Sequence, residues 1–333
     1  MLKNQFWKTA AVAGFAGILG ACNQPSPTTQ TSPTETTAAT SSSPVAIATG
    51  PKVVATTTII CDMAKQIAAN TIDLTCPIKP ASDPHVYEPT PEDRKAIEEA
   101  KLVLYGGYNF EPSLIKIIKA TSNAAPKVAV DEVAVPKPQT FEEDGKTETD
   151  PHVWHNAQNG IHMVETIQSN LAKVAPENAA LYAKNAQAMT KEIAQIDTWI
   201  KAQVSTIPSA SRKLVTTHDA LGYYSKAYNI PVEGALGGIS TEEKPTASRV
   251  AELVKMIRAA KVPTIFAELT INPKLIETVA KDANVKVSGR ELFADGLGEP
   301  GSEGATYQKM LAANTQAIVE GLGGKYTAFQ AQK

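Results

Sequence analysis

The chain has 333 residues, of which 43% are hydrophobic and 20% are charged, and its 32 Lys and Arg nearly balance its 34 Asp and Glu. It is long enough for two globular domains that each have a hydrophobic core. The balanced charge argues against the basic surface of nucleic-acid-binding proteins, so we expect no nucleic-acid partner.

The N-terminus has the pattern of a secretion signal, predicted over residues 1–21. Two basic residues, Lys3 and Lys8, accompany an apolar run from about residue 9 to 19, which is too short to span a bilayer. The run ends in Leu-Gly-Ala-Cys at 19–22. This ending resembles a bacterial lipobox, which implies lipidation of Cys22 and a membrane anchor. An ordinary signal peptide, in which Cys22 has no role, is the alternative.

Residues 22–51 predict a flexible tether, because they are rich in Ser, Thr, Pro and Ala and almost without charge. Beyond Cys22 the chain has two cysteines, Cys61 and Cys76. Two cysteines in an exported protein are a candidate disulfide, and two buried thiols are the alternative.

Strands and helices alternate from residue 52 onward. Such alternation predicts a parallel sheet covered by helices on both faces, with ligands bound beyond the carboxyl ends of the strands. The predicted strands lie at 53–59, 72–78, 102–105 and 127–130, and the helices lie at 62–70 and 91–100 and from 111 onward. Thr90, Pro91 and Asp93 give the second helix a capping-box start.

Residues 141–150 contain five acidic residues and one lysine and predict a solvated surface loop, with a weak metal-gathering role as the alternative. Further on, residues 177–206 lack glycine and proline and have recurrent apolar positions. They predict a helix about 45 Å long. A helix of this length between two α/β patterns indicates a rigid connection between two lobes.

The second lobe repeats the alternation, with strands predicted at 213–217, 231–235, 263–268 and 285–287. The expected fold is therefore α/β, with two lobes that each have a parallel sheet flanked by helices. We predict an N-terminal lobe at 52–176, a linking helix at 177–206 and a C-terminal lobe at 207–333.

The tetrapeptide Asp-Pro-His-Val occurs twice, at 83–86 and at 150–153. Proline fixes its own φ and keeps the preceding residue out of the helical region, so each copy predicts a stiff loop that presents one imidazole.

Four side chains, His85, His152, His218 and Asp295, follow predicted strands or lie on the loops that those strands lead to, two in each lobe. Three imidazoles and one carboxylate make a complete tetrahedral set for zinc. The sequence therefore predicts a divalent-metal site between the lobes.

Other polar residues near these positions have smaller predicted roles. His155 is expected either to support a ligand or to lie on the surface, and His162 is expected on the surface. Asp83 and Asp150 are expected to accept hydrogen bonds from nearby backbone amides. Four more residues could accept from ligand N–H groups or be exposed, namely Glu88, Asp219, Glu242 and Glu268.

The motifs at 83–91, 150–154, 217–224 and 294–298 resemble those of the zinc/manganese substrate-binding lipoproteins of bacterial ABC importers, a cluster of metal-binding receptors. The similarity runs from about residue 52 to 324. It implies two lobes joined by a rigid helix, one metal ion in the interlobe cleft and delivery to a membrane permease with a cytoplasmic ATPase. Carried over by position, the ligands fall on His85, His152, His218 and Asp295. We expect a lipid-anchored monomer that faces the periplasm or the extracellular space.

The third ligand favours Zn²⁺ over Mn²⁺ as the transported metal. Manganese-selective members resemble this chain but have glutamate where it has His218, and neutral imidazoles suit zinc whereas carboxylates suit manganese. One departure is that many zinc members have a histidine-rich loop before the second motif, whereas residues 141–150 are acidic. A manganese receptor, a zinc hydrolase and an adhesive lipoprotein with a structural metal are the alternatives. Four protein ligands argue against a hydrolase, since catalytic zinc keeps one position open for water.

Overall fold

The computed structural model describes residues 50–143, 146–242 and 244–332, and for 142, 143 and 146 it describes the backbone alone. The predicted signal peptide at 1–21, the predicted lipidation site Cys22 and most of the predicted tether at 22–51 lie outside the described residues. No helix within the described ranges has the length and apolar character needed to cross a membrane.

The first lobe is built on a four-stranded parallel sheet in the order β2-β1-β3-β4. Val53 and Val54 on the central strand pair with Leu102 and Val103, and all four are buried. The elements of this lobe are β1 (Lys52–Ala55), α1 (Thr58–Ala68), β2 (Asp73–Thr75), α2 (Pro91–Glu99), β3 (Leu102–Tyr105), α3 (Pro112–Ala120), β4 (Lys127–Ala129) and α4 (Val130–Ala134).

Two helix starts show how local sequence sets these boundaries. The first strand is shorter than predicted, because Thr57 is the N-cap of α1 and its Oγ1 accepts a hydrogen bond from the Ile60 amide at 3.2 Å. The start of α2 is confirmed, since Thr90 and Asp93 form a reciprocal capping box ahead of Pro91.

The acidic segment at 141–150, predicted as a solvated surface loop, is exposed at Thr147 and Glu148 but contains strands. Its backbone forms an antiparallel hairpin from β5 (Thr140–Glu143) and β6 (Lys146–Thr149), in which Thr140 pairs with Thr149. In the second strand, Lys-Thr-Glu-Thr at 146–149, threonine alternates with charged residues, which is a strand pattern. The hairpin leads into the second Asp-Pro-His loop.

The second lobe also has parallel strands, β7 with β8 and β9 with β10. A backbone hydrogen bond of 2.9 Å from the Phe266 amide to the Val215 carbonyl places the chain after β9 beside β7. The elements are β7 (Leu214–Thr216), α7 (Gly222–Tyr228), β8 (Val232–Ala235), α8 (Ala247–Ala260), β9 (Thr264–Ile265), α9 (Lys274–Ala283), β10 (Lys286–Val287) and α10 (Tyr307–Gly321).

Helix α5 (Ala157–Val174) packs against α1 and α4 of the first lobe. The long helix α6 (Ala179–Ser205) follows a 3₁₀ turn at Pro176–Asn178. The 27 residues of α6 span about 40 Å. Its buried isoleucines, Ile193, Ile196 and Ile200, belong to the same apolar cluster as residues of α1, α5 and α10. The α/β fold with two lobes and a long helix is confirmed, whereas the lobe boundaries at 52–176, 177–206 and 207–333 stay predictions.

A disulfide joins Cys61 in α1 to Cys76 just after β2, with Cα atoms 5.9 Å apart. The segment after Cys76 leads directly to the first Asp-Pro-His loop. The disulfide therefore links the segment that leads to this loop with α1.

Candidate metal centre

Four buried side chains from both lobes meet at one point. Their ligand atoms lie within 4.8 Å of one another, and the residues are His85, His152, His218 and Asp295. The Asp295 Oδ1 atom lies 3.7 Å from Nε2 of His85, 3.3 Å from Nε2 of His152 and 3.1 Å from Nε2 of His218. None of these four atoms has a hydrogen-bond partner, although all four residues are at most 3% exposed. Buried polar atoms are normally paired, so four unpaired atoms that converge in this way form a group that could hold a cation.

The aspartates of the two Asp-Pro-His loops hold the histidines that follow them. Asp83 Oδ1 accepts from the His85 amide at 3.0 Å, and Asp150 Oδ1 accepts from the His152 amide at 2.9 Å. This confirms the predicted role of both aspartates. Asp150 Oδ1 also accepts from Nδ1 of His152 at 2.9 Å, which the sequence did not predict. The bond leaves Nε2 of His152 as the free ring nitrogen.

In the second lobe, Glu268 holds His218. Its Oε1 accepts from the backbone amides of Thr217 and His218 at 2.9 and 3.0 Å, and its Oε2 accepts from Nδ1 of the His218 ring. The predicted acceptor role of Glu268 is therefore confirmed. By contrast, Glu88 and Glu242 are exposed.

Asp295 presents a single oxygen to the site. Its Oδ2 accepts a hydrogen bond of 3.1 Å from the Thr270 hydroxyl, which leaves Oδ1 as the atom that faces the three imidazoles. No sequence pattern selects Thr270, because a threonine in a loop has no distinctive signature. The carboxylate is thus arranged to bind through one oxygen.

The carboxylates of the site change the pKa values of its histidines, and the histidines change the pKa of Asp295. Burial opposes protonation of His152 and His218, but the ring hydrogen bonds to Asp150 and Glu268 and the negative charges of these carboxylates and of Asp295 outweigh it and raise the pKa of both imidazoles, that of His218 well above 6.5. Burial, the largest single effect, favours the neutral form of Asp295, yet the charge of His218 and the contacts with all three histidines together outweigh it and hold the pKa of this carboxyl well below 3.8. A positive charge at the centre therefore stabilises the Asp295 carboxylate.

His155 is fully buried. Of the two positions predicted for it, the surface position is therefore wrong, and the position that supports a ligand is correct. Its Nε2 donates to the Ala294 carbonyl at 2.8 Å, and Nε1 of Trp154 donates to the same oxygen at 3.2 Å. Burial first, and then the charge of His152, lower the pKa of His155 to about 3, so its ring is neutral. Trp154 and His155 of the first lobe thereby hold Ala294, the residue that precedes Asp295.

The remaining predicted positions lie outside this cluster. His162 is exposed, as predicted, and its Nδ1 lies 3.2 Å from Glu165. Asp219 is half-buried, and burial followed by the charge of Asp150 raises its pKa. Its backbone amide donates to the Gly238 carbonyl at 3.0 Å.

Phe110 forms an apolar wall that the sequence did not identify. Its ring centroid lies 5.0 Å from that of His85, 5.7 Å from that of His152 and 4.6 Å from that of Trp154. The phenylalanine is fully buried. It excludes water from one side of the site, which strengthens the interaction of charged groups there.

Comparisons of this sequence with known proteins agree on one family. A family profile described as zinc-uptake complex component A, periplasmic, matches residues 53–321. The metal ABC transporter substrate-binding lipoprotein SsaB of Streptococcus sanguinis is 36% identical over 278 residues, which cover 81% of this chain and 89% of that protein. The manganese ABC transporter substrate-binding lipoprotein PsaA of Streptococcus mitis has the same identity and coverage.

Among solved structures, the periplasmic zinc-binding protein TroA of Treponema pallidum is similar throughout the described body of the chain. It has a TM-score of 0.78 and 32% identity, and the alignment covers 82% of this chain and 99% of TroA. The two-lobe architecture is therefore shared with a protein described as binding zinc.

Proposed function

This chain belongs to the family of periplasmic component A proteins of zinc-uptake complexes, and we propose that Zn²⁺ is the ion that it carries. Members of this family are metal-binding, substrate-binding receptors of ABC transporters and not enzymes. The zinc hydrolase considered from the sequence is therefore wrong. In this proposal the metal is cargo, and it is held by His85, His152, His218 and Asp295.

One observation carries the proposal: four buried ligand atoms without hydrogen-bond partners converge from both lobes. In a tetrahedron with bonds of about 2.0–2.1 Å, the ligand atoms are about 3.3–3.4 Å apart. The distances from Asp295 Oδ1 to the three imidazole nitrogens, 3.1, 3.3 and 3.7 Å, bracket this separation. The four ligand atoms lie within 4.8 Å of one another, so the imidazoles would move toward the ion to complete the tetrahedron.

The composition of the site supports zinc over manganese. Three of the four ligands are imidazoles, and Thr270 occupies the second oxygen of Asp295. Manganese favours carboxylate, carbonyl and water oxygens, whereas imidazole suits zinc, and the divalent affinity series also rises from Mn²⁺ toward Zn²⁺. A site with one available carboxylate oxygen therefore fits zinc better.

Manganese is the second candidate, because a relative with 36% identity is named as a manganese receptor. In both cases we propose delivery to a membrane permease that is driven by a cytoplasmic ATPase. We also propose attachment through a lipid on Cys22, since the relatives are named lipoproteins. The monomeric state stays a prediction.

A competitive titration of Zn²⁺ against Mn²⁺ on the demetallated protein tests the proposal. We expect one zinc ion per chain and a preference for zinc of at least about a hundredfold, as the divalent affinity series indicates. His218→Glu should narrow this preference, because it replaces a neutral imidazole with a carboxylate. A parent protein that prefers manganese would overturn the assignment of zinc.

A further inference from the structure

The segment between β8 and α8 contacts the backbone beside His218 and also contacts the Asp-Pro-His loop that carries His85. At its beginning, the Gly237 amide donates to the Thr217 carbonyl at 2.8 Å, and the Gly238 carbonyl accepts from the Asp219 amide at 3.0 Å. These two bonds flank His218 in the sequence. The first part of the loop is thus fixed to the second lobe at the metal centre.

Farther along the same loop, a side chain crosses to the first lobe. The Thr241 hydroxyl donates to Asp83 Oδ2 at 2.6 Å, while Asp83 Oδ1 accepts from the His85 amide at 3.0 Å. One carboxylate therefore connects a threonine of the second lobe to the backbone of a proposed ligand in the first. Both Thr241 and Asp83 are half-buried at the edge of the cleft.

The two Asp-Pro-His loops use their aspartates differently. Asp150 bonds both the amide and the ring of His152 within its own loop. Asp83 bonds the amide of His85 and uses its second oxygen for the contact with Thr241. The repeated sequence thus provides one aspartate for ring orientation and another for a contact between the lobes.

We propose that Thr241 is a positioning residue that acts through Asp83 to hold His85 in place and keep the edge of the cleft closed, and so slows the release of the bound ion. This inference rests on the proposed function. An ion bound by ligands from both lobes leaves when the lobes separate, and such a separation breaks the bond from Thr241 to Asp83. The contact is present in the arrangement in which the four proposed ligands converge, so its loss should act on dissociation.

Zinc dissociation from the full-length protein tests the inference, with Zn²⁺ as the probe and an excess of chelator to trap the released ion. In Thr241→Val the hydroxyl is replaced by a methyl group of similar size. We expect the dissociation rate to rise about tenfold, as for the loss of one hydrogen bond to a charged group. The association rate should change by less than about twofold, since such changes act mainly on dissociation.

Two matched variants separate a positioning role from a general effect on the loop. Thr241→Ser keeps the hydroxyl and should restore the parental rate. Ser240→Ala removes an acceptor for the Glu242 amide at 3.2 Å within the same loop, and it should leave the rate unchanged. Equal acceleration by Ser240→Ala and Thr241→Val would overturn the inference, because it would indicate a loosened loop.

The stoichiometry of the parent protein distinguishes this inference from the proposed function. A parent that binds one zinc ion, with Thr241→Val releasing it at the parental rate, would overturn the role of Thr241 alone. A parent that binds neither zinc nor manganese would overturn the proposed function and the role of Thr241 together.

Discussion

Glu268 is hydrogen-bonded to both the backbone amide and the ring of His218, so one carboxylate fixes the position and the tautomer of this imidazole. A ligand histidine whose Nδ1 donates to a carboxylate is a stronger donor at Nε2. Nε2 is the atom that faces Asp295. Glu268 therefore acts on the metal site without contacting the ion.

Replacing Glu268 with glutamine should lower zinc affinity about 10- to 100-fold, the usual range for such partners of a ligand histidine. Gln has nearly the same size and keeps one acceptor, but it has no charge to polarise the ring. Competition with a chromophoric chelator measures the affinity. Glu242→Gln, at an exposed position of the same lobe, is the matched control. Equal affinities for Glu268→Gln and the parent protein would contradict this role.

Zinc affinity should fall as the pH falls, because ligating imidazoles must be neutral. In the metal-free protein the pKa values of His152 and His218 are raised, which means that protons compete with zinc at a higher pH than for an ordinary histidine. The decrease should therefore begin above about pH 6.5, the value for an unperturbed imidazole. Affinities measured between about pH 8.5 and 5 test this, and a constant affinity over that range would argue against histidine ligands.

The buried carboxyl groups of Glu111 and Asp131, outside the metal site, predict that the stability of the fold depends on pH. Glu111 and Asp131 are each 1% exposed, and Oε2 of Glu111 and Oδ1 of Asp131 have no hydrogen-bond partner. Burial raises the pKa of both carboxyls, and the charge of Glu111 adds to the increase for Asp131, whose pKa lies well above 3.8. A carboxyl whose pKa is raised on folding contributes stability at low pH, which is lost as the pH rises through the folded-state pKa.

Asp131→Asn should therefore be more stable than the parent protein at pH 8, where the asparagine carries no charge. We expect a gain of about 1 kcal/mol and a melting temperature about 1–2 °C higher for a chain of this size. At pH 5 the difference should shrink, because the parental pair can then hold its protons. Thermal unfolding of both metal-free proteins at the two pH values measures the effect, with the exposed Glu165→Gln as control. A loss of stability of the same size at both pH values would contradict the prediction.

The fold and the ligand positions could be predicted where the sequence signal is local. The capping box at Thr90 and the aspartate before each histidine act within a few residues, and the structure confirms both. The end of β1 was misplaced because Thr56 and Thr57 continue a β-branched run, while the cap that Thr57 provides depends on the helix that follows. The hairpin at 140–149 is difficult to predict because its acidic composition is typical of a loop, and only its second strand has an alternating pattern.

Contacts between segments that are far apart in the sequence have no local pattern from which they could be predicted. His155 is adjacent to Trp154 in the sequence, but its burial depends on the Ala294 carbonyl, 139 residues away. Thr241 and Asp83 are 158 residues apart, and neither has a pattern that selects the other. Such pairs are set by how the two lobes pack, which a pattern in one segment does not encode.

The bonds from Asp83 and Asp150 to the amides two residues on, together with the prolines at positions 84 and 151, restrict the backbone of both loops in the folded protein. The conformational entropy of these ligands is therefore lost during folding and not at the moment of binding. Binding to a preorganised site avoids most of the ordering cost that a flexible pair of loops would incur. An ion held by the proposed ligands would then bind tightly although only four side chains contact it, and its release would require the stiff loops to move as units instead of single rings rotating.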